Sequence, residues 1–448
     1  MTYELLAAAL RDAPFGDLTP MRRFVNAEHP ADLAQFLEDL TPPQAWRVLD
    51  LLDLPVQAET FGYLDHDLQV ELAEAAPRPK LARLVTEMNA DDRADLFNEL
   101  TPEQQEALLP ALAQAEREDL RRLAAYEDGT AGAIMTSDYA VLTPELTATE
   151  AIDKLRLEAP DKETIYRAYV IDEGRRLIGS VRLQDLILAP ARKRVREIMQ
   201  TNTYAVPVDE NQEEVARQIA KYDILALPVV DAEGRIVGIV THDDALDVVQ
   251  EEATEDALRG SAVGELEDGV SEARPFALYR ARIGWLVILV FGNILSGAGM
   301  ASFEGVIAQH FALLFFLPLL IASGGNAGSQ SATLMVRAIA TGDVTASDWG
   351  RLLGKELLVA TALGLTMALA VSVIGLWRGG WEIAAVVAVA MVLIVIVGSL
   401  IGMTLPFVLR KAGFDPATAS GPLVTSIADV SGVLIYFGIA GAVLAAAV

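Results

Sequence analysis

The stretch FDPATASGPLVTSIADVSGVLIYF, residues 414–437, decides the fold class because it places one carboxylate, Asp429, inside an otherwise apolar segment. Charged groups within a membrane-spanning helix are costly and are by default functional. Thr425 and Ser426 lie four and three residues before Asp429, and Gly432 lies three after it, so they share its helix face. The sequence predicts a membrane-embedded carboxylate beside hydroxyl groups. The alternative is an aspartate hydrogen-bonded to a neighbouring helix.

The rest of the C-terminal region consists of long apolar segments with charges at their edges. Residues 271–448 hold only 8 acidic and 9 basic side chains. Each segment supplies about 20 apolar residues, enough to cross a hydrocarbon core of roughly 30 Å. Pro406 and Pro422 are expected to kink the last two helices. We therefore expect an all-α transmembrane domain of five helices, near residues 281–303, 308–339, 352–377, 383–410 and 419–445.

The basic residues predict the orientation of these helices. Eight arginines and lysines flank them on the side of the N-terminal region, and only Arg378 falls on the other side. The positive-inside rule then places the N-terminus in the cytoplasm and the C-terminal tail outside. The opening segment MTYELLAAALRDAPFGD lacks the basic start and apolar core of a signal peptide. We expect a multi-pass protein of the inner, cytoplasmic membrane.

A second polar feature at membrane depth is PLLIASGGNAGSQSAT, residues 318–333. Gly325, Gly328 and Asn326 belong to it. Such residues weaken a helix and free backbone carbonyls, which is tolerated only inside protein or beside a water-filled cavity. We expect the helix to be weakened here, next to an ion path. The alternative is close helix packing through small residues.

The first 270 residues have the opposite character. They carry 54 acidic and 26 basic side chains, so nearly all of the chain's net charge of −27 lies there. So acidic a body repels nucleic acid, and no nucleic-acid partner is expected. The chain has no cysteine and only four histidines, none spaced as a metal pair. This excludes disulfides, thiolate chemistry and an HExxH metalloprotease, and no enzymatic activity is expected.

The N-terminal part has a helical pattern with a loose repeat of about 30 residues. HPADLAQFLEDLTP at 29–42 resembles MNADDRADLFNELTP at 88–102. Each reads as a capped helix followed by a Thr-Pro pair that begins the next helix. We expect stacked helical hairpins, forming an acidic superhelical N-domain over residues 1–128. Most of its acids are interpreted as a solvated helix face, but one group is denser than solubility requires: Asp91, Asp92 and Asp95.

A clearer repeat, with a period of about 60 residues, follows. YVIDEGRRLIGSVRLQDLIL at 169–188 matches PVVDAEGRIVGIVTHDDALDVV at 228–249. Each copy has a hydrophobic strand, a turn with glycine, a second strand and an acidic helix start. The pattern resembles a tandem pair of cystathionine-β-synthase (CBS) domains, α+β regulatory modules that often bind adenine nucleotides. We place the pair at 129–250, with copies at about 135–195 and 196–250.

The segment VVQEEATEDALRGSAVGELEDGV, residues 248–270, is helical in pattern and heavily acidic. It leads into the first membrane helix, so we interpret residues 251–278 as a connecting helix and residues 279–448 as the transmembrane domain. Its position indicates a mechanical connector between the two halves.

The order of domains, together with GGNAGSQSATL and the stretch at 414–437, resembles the MgtE family of magnesium transporters over essentially the whole chain. The resemblance implies a homodimeric, Mg²⁺-selective channel in a lipid bilayer, whose pore lies between two membrane domains. It also implies that cytoplasmic Mg²⁺ bridges acidic residues and holds the pore shut. In the nucleotide site of the CBS pair, the resemblance gives Asp185 as a ribose-binding acid, with ATP as the nucleotide.

By position, the resemblance also implies a set of Mg²⁺ ligands and pore residues. Where the family often has Asn-Pro before the pore segment, this chain has Gly421-Pro422, so one side-chain oxygen is missing. The implied pore and pore-shaping residues are Asp429, Thr425, Asn326, Gly325, Gly328 and Pro422. The implied regulatory ligands are Asp415, Asp91, Asp95, Asp223, Asp244, Asp247, Glu252, Glu255 and Asp256.

The chemistry of Mg²⁺ agrees with this composition. Mg²⁺ prefers oxygen ligands and sheds water reluctantly, so carboxylates, hydroxyls and carbonyls suit it better than sulfur or imidazole. Shifting a gate from 1:99 to 99:1 needs about 5.5 kcal/mol of differential binding, which favours many weak acidic sites over one strong site. A secondary exchanger coupled to Na⁺ or H⁺ remains open as the alternative, because it too can use a midplane carboxylate. A pure sensor has no need of Asp429.

Overall fold

A computed structural model describes Tyr3, Leu6, Leu10 and residues 18–264 and 273–445. It divides into two compact units, Met1–Gln250 and Glu251–Val448, which are described separately. Part of the predicted connecting helix, residues 265–272, lies outside the described residues, as does most of the segment before residue 18.

The first part of unit Met1–Gln250 is a run of short helices. Thr41 and Thr101 each cap a helix that begins with proline, and Gln44 and Gln104 complete two capping boxes. The helices are α1 Arg22–Val25, α2 Pro30–Glu38, α3 Pro42–Leu49, α4 Leu54–Gly62, α5 His66–Ala75, α6 Arg78–Glu87, α7 Ala90–Glu99, α8 Pro102–Leu108 and α9 Gln114–Leu123.

These helices stack in a superhelical order. From α2 to α9, each helix packs against the helix two places further along the chain. Gln104 donates to Glu74 at 3.0 Å, joining positions 30 residues apart. The side chains facing inward are buried leucines, alanines and Phe61, which form one continuous core. The helical array expected from the 30-residue repeat is confirmed.

The second part of the unit has two three-stranded sheets of the same topology. In each sheet the first two strands are parallel and the last two are antiparallel. The first repeat is β1 Tyr139–Leu142, α10 Ala148–Glu158, β2 Thr164–Ile171, β3 Leu177–Arg182 and α11 Leu183–Leu188. The second is β4 Val206–Pro207, α12 Gln212–Tyr222, β5 Ala226–Val230, β6 Ile236–Thr241 and α13 His242–Gly260.

The two repeats are joined through their hairpin turns. Leu177 N donates to the Gly234 carbonyl at 3.0 Å, and Ile236 N donates to the Arg175 carbonyl at 3.3 Å. The buried side chains Tyr139 and Tyr169 donate to backbone carbonyls of the second repeat, each at 3.0 Å. The tandem α+β pair expected from the sequence is confirmed.

The second unit is helical and rich in apolar side chains. Among the described residues, three helical stretches are long and apolar enough to cross a membrane: Pro275–Ala301, Ala346–Lys411 and Gly421–Leu444. The helices are α14 Pro275–Ala301, α15 Glu304–Gln309, α16 Leu313–Ala340, α17 Trp349–Lys411 and α18 Gly421–Ala445.

Helix α17 is 63 residues long, too long for one crossing of about 20 residues. It changes direction at Gly380, whose φ of 74° lies in the left-handed region that glycine tolerates. The two arms of α17 and helices α14, α16 and α18 correspond to the five segments expected from the sequence. Helix α16 is not among the described stretches that are long and apolar enough to cross a membrane, so five membrane crossings stay a prediction. Taken together, glycine, serine and amide residues are more numerous in α16 than in the other segments.

The expectation that the glycine-rich stretch weakens its helix is wrong. Helix α16 runs without a break from Leu313 to Ala340. Its glycines allow close packing instead: a Cβ atom on Gly328 would lie 2.7 Å from the Gly398 carbonyl of α17. A Cβ on Gly402 would overlap the Gly328 carbonyl. The packing of small residues compensates for the helix-weakening tendency of glycine.

The expectation that Pro422 kinks the last helix is also wrong. Pro422 is the second residue of α18, in the first turn, where a helix has no use for its backbone N–H. Pro406 lies inside α17, and the non-helical backbone of that helix is at Gly380. The change of direction in α17 is therefore provided by a glycine.

Candidate functional site

The Asp429 carboxylate lies on α18 and is half-buried. Among the described residues, it has no hydrogen-bond or ion-pair partner. The alternative of an aspartate bonded to a neighbouring helix within the chain therefore lacks support. A carboxylate held in this way is available to a cation.

The hydroxyl groups that precede Asp429 on α18 have their protons engaged. Thr425 Oγ1 donates to the carbonyls of Gly421 at 2.8 Å and Pro422 at 2.9 Å, and Ser426 Oγ donates to Pro422 at 3.0 Å. Each hydroxyl oxygen keeps its lone pairs. It can therefore coordinate a cation directly or accept a hydrogen bond from a water bound to the cation. The first turns of α18 therefore present oxygen ligands before Asp429.

The glycine motif of α16 packs directly against this part of α18. A Cβ on Gly325 would lie 2.8 Å from Thr425 Cγ2, and one on Gly328 would lie 2.9 Å from Val424 Cγ1. Asn326, between them, is exposed. The structure therefore brings Gly325, Gly328 and Thr425 together, as expected for two motifs of one site.

Ser329 lies next to Gly421, the position without a side chain. A Cβ built on Gly421 would lie 2.7 Å from the hydroxyl oxygen of Ser329 on α16. The Ser329 hydroxyl therefore occupies the space that a side chain at position 421 would need.

At the start of the segment that leads into α18, Asp415 is fully engaged. Its Oδ1 accepts from Ala417 N at 2.8 Å and caps a short 3₁₀ helix, Pro416–Thr418. Its Oδ2 accepts from Arg259 of α13, and the same guanidinium also pairs with Glu255. One arginine thus joins two of the carboxylates that the resemblance implied as regulatory Mg²⁺ ligands.

Glu252 and Asp256 lie on the same helix as Glu255 and are half-buried. Sequence reasoning missed Arg259, although its spacing of four residues from Glu255 is the spacing of an ion pair on a helix face.

Unit Met1–Gln250 contains an acidic cluster, formed by carboxylates from three parts of the chain. Helix α7 contributes three of them, the loop before β2 one, and the first turns of α13 two. The members are Asp91, Asp92, Asp95, Glu163, Asp244 and Asp247. Asp92 also packs closely on α4, since a Cβ on Gly62 would lie 2.6 Å from its Oδ2.

The electrostatics of this cluster are unfavourable without a counter-ion. Desolvation and the neighbouring carboxylate of Asp244 raise the pKa of Asp92 to about 6 and that of Glu163 to about 7. The side chain of Asp95 keeps contact with solvent, yet the dense protein around it raises its pKa to about 7. The pKa of Asp91 is raised well above its usual range by burial and by Asp244.

Within the described part of the chain, Asp91 has one unsatisfied carboxylate oxygen. Its Oδ1 is buried and accepts no hydrogen bond from the described residues. Asp244 is better satisfied, because its Oδ2 accepts from Thr241 N at 3.2 Å and from Thr241 Oγ1 at 2.5 Å. Asp247 is exposed, and desolvation followed by repulsion from Asp243 raises its pKa.

The remaining predicted residues lie elsewhere. Asp223 is exposed at the C-cap of α12, in a left-handed conformation with φ of 50°, and does not join the cluster. Asp185 is in the first turn of α11, where Arg182 donates to both of its oxygens at 2.8 and 2.9 Å. The Arg182 hydrogen bonds lower the pKa of Asp185. Sequence reasoning missed Glu163, because only the β1–β2 pairing brings its loop to α7.

Within the described part of the chain, no three histidine or carboxylate side chains are close enough to hold a bare metal ion. Mg²⁺, however, usually keeps several of its waters and can be bound through them. Binding of a hydrated cation by the acidic cluster therefore stays a prediction.

Comparisons with known proteins cover the same regions. The MgtE profile, described as a divalent cation transporter, matches residues 317–439, and the MgtE intracellular N domain matches 28–129. The CBS domain matches 131–192 and 195–251. The magnesium transporter MgtE of Thermus thermophilus is 41% identical over 447 residues, covering 99% of both chains. This chain belongs to the MgtE family.

Two further relatives support the assignment to the MgtE family. The magnesium transporter MgtE of Bacillus subtilis is 32% identical over 447 residues, covering 99% of this chain and 98% of the relative. A crystal structure of the cytosolic domain of the Mg²⁺ channel MgtE in complex with ATP matches 55% of this chain and all of that domain, with 39% identity and a TM-score of 0.53.

Proposed function

We propose that this chain is a Mg²⁺ channel or transporter whose ion path passes Asp429. The observation that carries the proposal is the half-buried Asp429 carboxylate, which has no partner among the described residues and lies in a segment matching the divalent cation transporter profile. Its relatives over the whole length are named magnesium transporters. Carboxylate rings are a known device of cation pores, and transport, not catalysis, is the activity proposed.

A homodimer would complete the site, because one Asp429 from each protomer would form an acidic ring. Helix α14 supports this arrangement: none of its residues, Pro275–Ala301, is buried within the chain. Such a helix must be covered by lipid or by a partner. We also propose the orientation given by the basic residues, with the N-terminus in the cytoplasm and the C-terminus outside.

Gating by cytoplasmic Mg²⁺ follows from the acidic cluster. Its raised pKa values record desolvation and, after it, repulsion between carboxylates, and a divalent cation would offset both. At the connecting helix, Arg259 already bridges Glu255 and Asp415, so Mg²⁺ would compete there with a tethered cation. We propose domain boundaries after residues 128, 250 and 278.

The CBS pair is proposed to bind ATP. Asp185 and Arg182 are both accessible, at the start of a helix, and offer an acceptor for ribose hydroxyls and a donor for phosphate. Their residue types therefore fit a nucleotide. A relative's cytosolic domain was crystallised with ATP, which supports the proposal.

The experiment is growth rescue. Expression of this chain should restore growth at low external Mg²⁺ to a bacterial strain that lacks its own Mg²⁺ uptake systems. Rescue by the wild type but not by Asp429→Asn, at equal membrane abundance, is the expected outcome. Rescue that needs an imposed Na⁺ or H⁺ gradient would favour the exchanger instead.

A further inference from the structure

Unit Met1–Gln250 contains a cleft of about 910 Å³ between the helical domain and the CBS pair. Its lining includes no member of the acidic cluster and not Asp185. Helices α7 and α9 contribute Arg93, Asp119 and Arg122, and the hairpin turns of the two repeats contribute Arg175 and Arg235. The cleft is therefore separate from both sites discussed above.

Arg93 is the unusual residue of this lining. Its side chain is buried, with a relative exposure of only 6%. Its Nε is buried without an acceptor, and no described residue accepts a hydrogen bond from its guanidinium or pairs with it. An unpaired charge on a side chain buried to this extent is costly, so Arg93 favours an anionic partner in the cleft.

Most of the other cations in the cleft have carboxylate partners. Arg122 pairs with Asp119, and Arg235 pairs with Asp231 at 2.7 Å. Lys162 lies 4.0 Å from Asp138. These pairs neutralise Asp119, Asp231 and Asp138, and Lys154 lies 3.7 Å from Glu158. Of the lining carboxylates, Glu116 keeps its charge, with hydrogen bonds from Thr86 and from Ala113 N.

Arg175 is the second cation without a carboxylate partner among the described residues. It donates to the Tyr139 hydroxyl at 3.3 Å, a long bond to a neutral acceptor. Its φ of 64° is left-handed, and the matching position of the second repeat is a glycine, Gly234, with φ of 77°. The first repeat thus keeps an arginine where the backbone favours glycine. The turn accommodates this side chain despite the steric cost.

We propose that the cleft binds a small phosphoryl-bearing anion between Arg93 of the helical domain and Arg175 of the first CBS repeat. Guanidinium groups pair with phosphate through parallel hydrogen bonds, and a tetrahedral phosphoryl group can accept from two directions at once. The volume of the cleft leaves room for more than one phosphate, since small-molecule sites commonly span 300–1,000 Å³. Such a ligand would tie the helical domain to the CBS pair.

Binding of inorganic pyrophosphate to the full-length protein in detergent tests this proposal. Titration calorimetry in the presence of EDTA should show one site per chain. Arg175→Gly should weaken binding at least tenfold, because one charged hydrogen-bonding partner is lost. Because the turn at 175 suits glycine, this variant should fold as well as the wild type. Arg93→Gln should weaken binding similarly, and Arg93→Lys should weaken it less.

Three control variants separate this cleft from other sources of phosphate binding. Asp185→Ala and Arg182→Gln alter the proposed nucleotide site, so they identify any pyrophosphate bound there, and they should leave binding in the cleft unchanged. Arg156→Gln removes an equally charged but exposed side chain, and it should also have no effect. The proposal is overturned by absence of binding at millimolar pyrophosphate, by binding that Arg175→Gly and Arg93→Gln leave intact, or by loss only in the Asp185 and Arg182 variants. Pore function is not involved, so these results are independent of Mg²⁺ transport.

Discussion

Arg259 of α13 donates to Asp415 Oδ2 and also pairs with Glu255. The connecting helix is thus tied, by a cation of the chain itself, to the segment that begins the last membrane helix. All three side chains are roughly one-third exposed, so the pairs are weaker than buried ones. A divalent cation binding the same carboxylates must displace the arginine or share them with it.

Arg259→Met should therefore raise the open probability when cytoplasmic Mg²⁺ is absent, because two carboxylates lose their bridge and repel. Of the two pairs, only the Arg259–Asp415 pair joins the two segments, and an exposed ion pair contributes about 0.2–1 kcal/mol, so the open-to-closed ratio should rise by up to about fivefold. Millimolar Mg²⁺ should close the variant again. Arg351→Met, which breaks an exposed pair with Asp348 on another loop, serves as the control. The measurement is single-channel recording with Mg²⁺-free solution on the cytoplasmic side. Wild-type gating of Arg259→Met in that recording would contradict this account.

Neutralising both carboxylates has a different effect. Combining Asp415→Asn with Glu255→Gln removes both the Mg²⁺ ligands and the repulsion between them. Cytoplasmic Mg²⁺ should then no longer affect the gate through this pair of residues. Asparagine is chosen because its carbonyl can still accept from Ala417 N and keep the cap. The measurement is open probability against cytoplasmic Mg²⁺. If the double variant keeps the wild-type midpoint, the connecting helix is only a tether.

The acidic cluster predicts a pH dependence that Mg²⁺ removes. Asp95 and Glu163 have folded-state pKa values of about 7, against ordinary values of 3.8 and 4.5. Between about pH 4 and 7 the folded state therefore binds more protons than the unfolded state, so stability without Mg²⁺ should fall as pH rises through this window. Bound Mg²⁺ replaces the protons and should flatten the dependence.

Hydrogen exchange of α7 amides, corrected for the intrinsic rate at each pH, measures this effect. Glu163→Gln should reduce the slope, and Glu173→Gln, on an exposed turn away from the cluster, should not. Equal protection at pH 5 and pH 7 in EDTA would show that the cluster is not strained by its own charge.

Close packing of α16 on α17 predicts opposite effects for two glycine substitutions in one helix. Gly402→Ala forces a methyl group onto the Gly328 carbonyl and should destabilise the membrane unit by about 1–3 kcal/mol. Gly354→Ala, with open space around it, should be neutral or stabilise by up to about 1 kcal/mol. Thermal unfolding in detergent compares them, and equal stability of the two variants would refute the packing.

The sequence could predict the order of domains because each has its own period: about 30 residues for the helical array, about 60 for the CBS repeat, and about 20 apolar residues for each membrane helix. It could not predict that α16 stays helical through its glycines. Helix propensity is a local quantity, whereas Gly324 and Gly328 pack against Gly398 and Gly402, about 70 residues away.

The candidate site was predictable only in part. Asp429 could be identified because a carboxylate among apolar residues is conspicuous in sequence. Glu163 could not, since strand pairing alone brings its loop to α7. Arg259 was not expected at this site, because the expected Mg²⁺ ligands are acidic, although a basic residue can pair with the same carboxylates.

The central claim is that Mg²⁺ crosses the membrane past Asp429, and flux into proteoliposomes tests it most directly. A Mg²⁺-sensitive dye inside the vesicles should report rapid entry through the wild type, with no Na⁺ or H⁺ gradient imposed. Asp429→Asn should reduce this entry at least tenfold while the protein stays folded, because Asp429 has no partner among the described residues to leave unsatisfied. Asp343→Asn, an exposed loop change, should transport normally. Wild-type flux through Asp429→Asn would contradict the account.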